Sequence, residues 1–202
     1  MMDQAKDNKI NFDDIEIPDK IPTKFINSRV IVFNPLFASF LYVKGINGQR
    51  FFGSPLGISK PRLEYFSKPS ELSLIEAFYL LEKGYITIFN VEKDKEIEEK
   101  EFYKIAKEVH HKFEEKYKIY KDLREKNYVP RPGLKFGADF VVYRQGPGLE
   151  HSLFMVHVLP HDSEITAIDM VRAGRLATSV RKKFVIANPL TCSYYFFEWF
   201  KP

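Results

Sequence analysis

The alternation of apolar and polar positions in the first half of the chain predicts a small α/β unit. The first 25 residues or so are polar and acidic and contain two prolines, which predicts a loosely ordered lead-in. Residues 29–33, Arg-Val-Ile-Val-Phe, are rich in β-branched side chains and predict a strand that Asn34-Pro35 ends. An apolar stretch over residues 36–43 leads to Asn47-Gly48, which is a strong signal for a tight hairpin turn.

One helix and one strand complete this unit. Residues 73–76, Ser-Leu-Ile-Glu, form a capping box, and the apolar positions that follow recur at helical spacing. Lys83-Gly84 predicts the end of that helix, and the run at residues 85–89 predicts a returning strand. No residue pattern in this unit indicates chemistry.

A run of charged residues at 92–101 is expected to join this unit to a second domain. The run opens a long helical pattern, in which apolar positions recur every three or four residues over 102–123. We predict that this helix ends near Asn127, because the sequence Pro-Arg-Pro-Gly at 130–133 cannot continue it.

The rest of the second domain alternates strands with a helix. Strands are predicted at 138–143, 151–158, 183–187 and 191–200, and a helix at 163–179. This order suits a mixed sheet flanked by helices. The sequence thus predicts an α/β (α+β) protein with a small N-terminal mixed α/β domain, residues 1–95, and a C-terminal mixed-sheet domain, residues 96–202.

Composition restricts the class of protein further. The chain has 202 residues, of which 45% are hydrophobic and 29% charged, so we expect it to fold rather than stay disordered. No apolar run approaches the roughly 20 residues of a membrane span, and the polar N-terminus lacks a signal-peptide profile. The single cysteine, Cys192, excludes an internal disulfide and a cysteine-cluster metal site. We therefore expect a soluble, cytoplasmic protein with no membrane partner.

The charge distribution indicates the class of partner. The net charge is +4, but residues 1–100 carry −1 and residues 101–202 carry +5. A basic C-terminal half favours a polyanionic partner, of which nucleic acid is the commonest. A slightly basic solvated surface would give the same charges, so charge alone leaves both interpretations open.

Several candidate groups have a simpler explanation than chemistry. Gly146-Pro147-Gly148 lacks the lysine and hydroxyl that follow the glycines of a phosphate-binding loop. His110 and His111 are adjacent on a predicted helix and cannot bind one metal ion from the same face. His157 lies among apolar strand residues, where we expect a hydrogen-bonded core or sheet-edge histidine.

Polar residues at the ends of predicted elements form the remaining candidate site. Tyr143 ends one strand and His151 begins the next, and the short turn between them brings both to one edge of the sheet. Arg181-Lys182-Lys183 lies where a helix gives way to a strand. These side chains are candidates for catalysis, although a tyrosine commonly packs in a core and a lysine pair is commonly solvated.

Segments of the chain resemble one family in order, identity and spacing. The segments are Gly-Leu-Lys-Phe-Gly-Ala-Asp-Phe-Val-Val-Tyr at 133–143, Glu-His-Ser at 150–152 and Gly-Arg-Leu-Ala-Thr-Ser-Val-Arg-Lys-Lys at 174–183. They are similar to the C-terminal catalytic domain of tRNA-splicing endonuclease subunits, and residues 72–84 resemble the small first domain of that family. The resemblance covers most of the chain and implies an archaeal-type tRNA-intron lyase subunit with a nuclease-like C-terminal domain.

The resemblance implies a role for each of three residues. Tyr143 corresponds to the family's catalytic tyrosine, a general base, and His151 to its histidine, a general acid. Lys182 corresponds to the family's lysine, an electrostatic stabiliser, and Lys183 is the residue with which it could be confused.

Further residues are implied to bind RNA. The family arginine that grips an RNA bulge corresponds to Arg175, and the second half of that clamp corresponds to Trp199. Arg181 and Lys183 are also expected to contact RNA. Packing within the aromatic last strand is the other explanation for Trp199.

The implied reaction needs no metal ion or cofactor. RNA carries its own nucleophile, the 2′-OH beside the scissile phosphate. A base takes the proton of that hydroxyl, an acid protonates the departing 5′-oxygen, and a cation stabilises the charge on the phosphorane, which gives a 2′,3′-cyclic phosphate and a 5′-OH. Because the reference pKa of tyrosine is about 10, we expect Lys182 or Arg181 to lower the pKa of Tyr143.

The implied partners are precursor tRNA, at a bulge-helix-bulge, and other endonuclease subunits in a homo- or hetero-tetramer. The acidic loop at 161–164 is expected to dock into a neighbour, and the aromatic last strand to pair in part with another subunit. Two alternatives remain open at this point. One is a non-catalytic structural or RNA-binding subunit of the same complex, and the other is a metal-dependent nuclease that uses Asp139 and Glu150.

Overall fold

The computed structural model describes residues 11–59, 63–160, 163–179 and 182–197. The chain divides into two compact units, Met1–Glu99 and Lys100–Pro202. Each unit contains a mixed β-sheet together with helices, so the predicted mixed α/β fold class is confirmed. Among the described helices, none combines the length and the apolar character that crossing a bilayer requires.

In its described residues, the first unit forms a six-stranded sheet with two α-helices. Its strands run in the order β3-β4-β2-β1-β5-β6, and β1 pairs parallel with β5 and antiparallel with β2. Buried and exposed residues alternate along β1, so one face of this strand contributes to the core of the unit. The elements are β1 (Ile21–Ile26), β2 (Arg29–Val32), α1 (Pro35–Val43), β3 (Ser54–Pro55), β4 (Ser70–Leu72), α2 (Leu74–Glu82), β5 (Ile86–Asn90) and β6 (Lys95–Glu96).

Local sequence signals set where both helices of this unit begin. The side chain of Asn34 accepts the N–H of Leu36 at 2.9 Å, and Pro35 occupies the first helical position of α1. The predicted capping box of α2 is present: the Ser73 hydroxyl accepts the N–H of Glu76 at 3.2 Å, and the Glu76 carboxylate accepts the N–H of Ser73 at 3.0 Å. Asn34-Pro35 therefore ends a strand, as predicted, by starting a helix.

The predicted lead-in contains a central strand. Residues 21–26 form β1, which lies between β2 and β5, although the sequence predicts loose structure to about residue 25. Pro22 is tolerated there because the Ile21 N–H bonds to the Tyr85 carbonyl at 2.9 Å, on the β5 side. The missing N–H of Pro22 then points to the β2 side, where pairing begins only at Lys24.

The described part of the second unit is a five-stranded sheet with three α-helices. The strands run in the order β11-β10-β9-β8-β7, with β9 and β10 parallel and the other pairs antiparallel. The elements are α3 (Glu99–Val109), α4 (Phe113–Glu125), β7 (Val129–Pro132), β8 (Phe140–Tyr143), β9 (Phe154–Val158), α5 (Ala167–Ser179), β10 (Lys183–Asn188) and β11 (Ser193–Phe197).

Each face of this sheet packs against different helices. On one face Met155, Phe184 and Ile186 form a buried cluster against which Ala173 of α5 packs. On the other face the rings of Tyr120, in α4, and Phe140 lie 5.9 Å apart. We call these the α5 face and the α4 face.

The single long helix predicted over 102–123 is two helices. Lys112 takes a left-handed conformation, with φ 56°, which ends the helical path between α3 and α4. The turn leaves Val109 48% exposed, although the periodic pattern placed it on the apolar face. It directs Phe113 into the core, where its ring stacks on Tyr117 at 5.9 Å.

Strand β7 is an edge strand that the sequence does not predict. Its register continues into the hydrogen bond from the Gly133 N–H to the Asp139 carbonyl, at 3.0 Å, so the odd-numbered residues bond to β8. Pro130 and Pro132 occupy the outward positions, where no partner needs an N–H. The prolines that stop a helix are therefore compatible with the edge of a sheet.

Candidate active site

The ends of three neighbouring strands meet at one end of the second sheet. Val142, near the end of β8, pairs with Phe154 at the start of β9, and Phe154 pairs with Lys183 at the start of β10. Tyr143 is the last residue of β8, and Lys182 directly precedes β10. The fold therefore brings two of the sequence-predicted residues to the same edge.

The register also separates the two adjacent lysines. Directly paired residues share a face of a sheet and successive residues alternate, so Val142, Phe154 and Lys183 lie on the α4 face. Tyr143 lies on the α5 face, and continuing the alternation of β10 by one residue places Lys182 there too. Two strand spacings, roughly 10 Å, separate their backbones, which leaves room for a phosphodiester between the two long side chains.

His151 lies in the loop that joins β8 to β9. The predicted strand over 151–158 begins only at Phe154, so His151 precedes it and is exposed. The Leu153 N–H donates to the Val142 carbonyl at 2.8 Å, which fixes the loop beside the end of β8. Lys182 Nζ donates to the Ser152 carbonyl at 3.4 Å, next to His151. These two bonds connect the loop that carries His151 to the end of β8 and to the residue that precedes β10.

Glu150 makes hydrogen bonds within the same loop. Its Oε1 accepts the N–H of Gln145 at 2.5 Å and also the N–H of Arg144. Both donors follow Tyr143 directly, and Glu150 directly precedes His151. One carboxylate therefore holds together the two chain segments that carry the candidate base and acid.

The electrostatic surroundings of Tyr143 differ from those expected. Burial raises the pKa of Tyr143 above its usual value, Arg131 lowers it in part, and Glu150 raises it again. The expected lowering of this pKa is therefore wrong for the chain alone, and Arg131 is the cation that opposes the rise among the described residues. Arg181, the other cation named for this purpose, lies outside them.

The sequence does not predict a role for Arg131, because its proline neighbours indicate only the end of a helix. The signal that could have found it is the alternation Val-Pro-Arg-Pro at 129–132, with side chains two apart on one face of an edge strand.

The predicted RNA-binding residues are only partly visible. Arg175 is exposed on α5, one turn before this helix ends at Ser179. Lys182 follows Ser179 by three residues. The C-terminal part of α5 is therefore directed to the same end of the sheet as Tyr143. Trp199 lies outside the described residues, as do the first two residues of the predicted docking loop, 161 and 162.

The metal-nuclease alternative fails on geometry. Asp139 precedes β8 and Glu150 interacts with the backbone beyond its end, and the five residues between the two places span roughly 16 Å of strand. The Asp139 carboxylate instead accepts from Lys116 Nζ at 2.9 Å and the Val158 N–H at 2.8 Å, and lies 3.2 Å from His157 Nδ1. Within the part of the chain that the structure describes, no three His, Cys, Asp or Glu side chains are grouped to hold a metal ion.

Both units match known families and proteins. The family model described as tRNA intron endonuclease, catalytic C-terminal domain, matches residues 113–191, and the model described as its N-terminal domain matches residues 21–103. A protein of Hyperthermus butylicus named tRNA-splicing endonuclease is 43% identical over 178 residues, which cover 86% of this chain and 95% of that protein. Proteins of the same name from Saccharolobus solfataricus and Saccharolobus islandicus are 39% and 38% identical over 181 and 182 residues, with 87% of this chain and 96% of each relative covered.

Proposed function

The chain belongs to the tRNA intron endonuclease family, and from this premise we propose that it is a catalytic subunit that cuts precursor tRNA at bulge-helix-bulge splice sites. Membership makes the chain an RNA endonuclease with the catalytic C-terminal domain. One observation carries the proposal further: the hydrogen bond from Lys182 Nζ to the Ser152 carbonyl joins the lysine to the loop of His151, beside the strand end that carries Tyr143.

The proposed reaction is an attack of the ribose 2′-OH on the adjacent phosphate. Tyr143 accepts the 2′-OH proton, His151 protonates the 5′-oxygen as its bond to phosphorus breaks, and Lys182 stabilises the negative charge that grows on the non-bridging oxygens. The exposure of His151 suits a group that must reach a leaving group on a large substrate. The products are a 2′,3′-cyclic phosphate and a 5′-OH, and the protons of the two steps balance.

Recognition is proposed to depend on the shape of the RNA. A guanidinium at Arg175, exposed on the helix that leads to the site, is suited to stack on an unpaired base of the bulge. Trp199 as its counterpart, and Arg181 and Lys183 as backbone contacts, stay predictions.

The structural-subunit alternative is less well supported. A subunit that only holds RNA has no need for a tyrosine, a histidine and a lysine at one end of the sheet, nor for the carboxylate of Glu150 that ties the segments of Tyr143 and His151 together. The proposal therefore assigns catalysis to this chain.

Cleavage of a bulge-helix-bulge RNA in excess EDTA tests the mechanism. We expect the purified chain to cut the RNA and leave cyclic phosphate ends, because the proposed base, acid and cation are all side chains. Loss of cleavage in EDTA that added Mg²⁺ restores would contradict the proposal and return the reaction to metal chemistry.

Two adjacent lysines provide the matched control. Lys182→Gln should lower kcat by about 10²-fold with little change in RNA affinity, as expected for a group that acts in the transition state. Lys183→Gln should leave kcat unchanged and affect RNA affinity at most, since its side chain is on the α4 face, away from Tyr143. His151→Ala should lower kcat by at least tenfold. Equal effects of the two lysine substitutions would reject the assignment of Lys182.

We also propose that this chain works in a tetramer, either of four copies or of two copies with two other subunits. β11 is the last strand of the sheet in the described residues, and it exposes Tyr195 and Phe196 on its opposite faces. Large exposed aromatic side chains on an edge strand favour a covering partner.

A further inference from the structure

Two oppositely charged side chains flank Tyr143. In the β7–β8 register Val129 pairs with Tyr143 and Arg131 pairs with Val141, so Arg131 is a diagonal neighbour of Tyr143 on the α5 face. Diagonal neighbours on a sheet lie about 7–8 Å apart, which is within the reach of an arginine. The register therefore puts the guanidinium of Arg131, on the edge strand, within reach of the phenol.

Glu150 approaches Tyr143 from the other direction. Its carboxylate is held by the N–H groups of Arg144 and Gln145, the two residues that follow Tyr143. The negative charge is thus fixed close to the end of β8 and cannot move away with the loop.

We infer that Arg131 and Glu150 are positioning residues that set the charge state of Tyr143 in opposite directions, Arg131 favouring the phenolate and Glu150 the neutral phenol. The inference rests on the proposed function, in which Tyr143 must accept a proton. It goes beyond the proposed base, acid and stabiliser, because neither Arg131 nor Glu150 needs to touch the RNA.

The directions of the electrostatic effects agree with the geometry. Burial raises the pKa of Tyr143, Arg131 lowers it and Glu150 raises it. On the β9 side the loop presents Leu153, which is apolar, and Lys182 is a further strand away. A bound RNA adds phosphate charge that disfavours a phenolate further. The guanidinium of Arg131 is therefore the charge, among the described residues, that limits the rise in the pKa of Tyr143.

The substitutions that test this inference separate charge from structure. Glu150→Gln removes the negative charge but leaves an amide oxygen to accept the two N–H bonds of the loop. Arg131→Gln removes the positive charge, and Arg131→Lys retains it. Lys135→Gln and Glu108→Gln are matched controls, because both side chains are exposed in the same unit.

The first measurement follows the titration of Tyr143 by NMR of the full chain with isotope-labelled tyrosine, the signal being assigned with Tyr143→Phe. We expect the midpoint to rise in Arg131→Gln, to fall in Glu150→Gln and to stay unchanged in both controls. An unchanged midpoint in Arg131→Gln and Glu150→Gln would overturn the inference.

The second measurement is the pH dependence of cleavage. The reaction needs molecules in which the base is deprotonated and the acid is protonated, and these are a small fraction when the base has the higher pKa. Removing the guanidinium raises the pKa of Tyr143 further, so kcat near pH 7 should fall roughly fivefold. The alkaline limb should move to higher pH, and Arg131→Lys should restore much of the rate. A change in KM alone, with the alkaline limb unmoved, would show that Arg131 grips RNA and does not act through Tyr143.

The two proposals fail in different ways. If Tyr143→Phe cuts RNA as fast as the unsubstituted chain, the proposed base is wrong, whereas the NMR titrations still test the effect of Arg131 and Glu150. If Tyr143→Phe is inactive and the titrations do not move, the proposed function stands and the inference falls.

Discussion

Asp139 is a carboxylate held in its ionised form inside the second unit. Its side chain is 12% exposed, and burial alone would raise its pKa. Hydrogen bonds from His157, Lys116 and the Val158 N–H outweigh that cost and lower the pKa of Asp139 from 3.8 to about 2. The residue that a metal nuclease would have used is thus a structural anion with donors of its own.

This shift predicts how the stability of the chain depends on pH. The lowered pKa of Asp139 stabilises the fold by about 2 kcal/mol above roughly pH 5, and this contribution is lost as the pH falls to about 2. We expect Asp139→Asn to unfold at lower urea than the unsubstituted chain near pH 7, with the gap closing towards pH 2. The exposed Glu108→Gln is the control, and a gap that persists in acid would show that charge is not its origin.

Individual residues of the candidate site differ in how far the sequence predicts them. The assignment of Tyr143, His151 and Lys182 rests on the family resemblance of their segments, because spacing alone indicates only polar residues at the ends of predicted elements. A role for Arg131 follows from neither, since its relation to Tyr143 exists only through the register of β7 on β8. A cross-strand pair leaves no mark in the spacing of a single sequence.

Among the elements, α2 depends on its first turn. Ser73 accepts the Glu76 N–H and donates its hydroxyl to the Glu76 carboxylate at 3.0 Å, so that two backbone N–H groups at the helix start have partners. Ser70, three residues earlier, is buried more deeply, yet its Oγ has no hydrogen-bond partner in the described structure.

Substituting the less buried serine, Ser73, should destabilise the fold more than substituting the more buried one, Ser70. Ser73→Ala is expected to lower the free energy of unfolding by about 1 kcal/mol, because the cap is lost. Ser70→Ala should cost little, because it removes a hydroxyl that makes no hydrogen bond among the described residues. Urea unfolding of both variants measures the difference, and a larger loss for Ser70→Ala would contradict this account of the helix start.

Elements with local signals were predictable and elements set by tertiary pairing were not. The capping box gave α2, and the β-branched run at 29–33 gave β2. β1 and β7 contain prolines and are not predicted from the sequence. A proline is tolerated in a strand only where its missing N–H faces no partner strand, and this depends on the tertiary pairing. Similarly, Asn47-Gly48 makes a tight turn, but it closes only the bridge between Ile46 and Gln49 and not a full hairpin.

At the scale of the whole molecule, the second unit carries the basic charge and the exposed strand. The +5 of residues 101–202 lies with the half that matches the catalytic family model. Tyr195 and Phe196 of β11 are 55% and 53% exposed, although an unpartnered edge strand is normally protected by charge or by proline. The strand at the opposite edge, β7, contains two prolines, whereas β11 contains neither a proline nor a charged residue.

The proposed tetramer predicts that two exposed side chains of the second unit differ in their effect on assembly. Tyr195→Lys should reduce the mass of the native complex towards the 23.7 kDa of one chain, because it puts a charge into the proposed subunit contact. Leu134→Lys is the control, since Leu134 is 88% exposed in the same unit but lies outside β11. Native mass measurement decides between them, and an unsubstituted chain that is already monomeric on its own would contradict the tetramer of four copies.

The prolines of β7 have a consequence for how such chains join. The outward positions of that strand, Pro130 and Pro132, offer carbonyls without any N–H, so an incoming strand finds no donors there. Among the strands that the structure describes, β11 is the sheet edge without this obstacle. Two copies joined through that side would each be capped at the far end, and the joined sheet stops at a closed pair instead of propagating into a fibre.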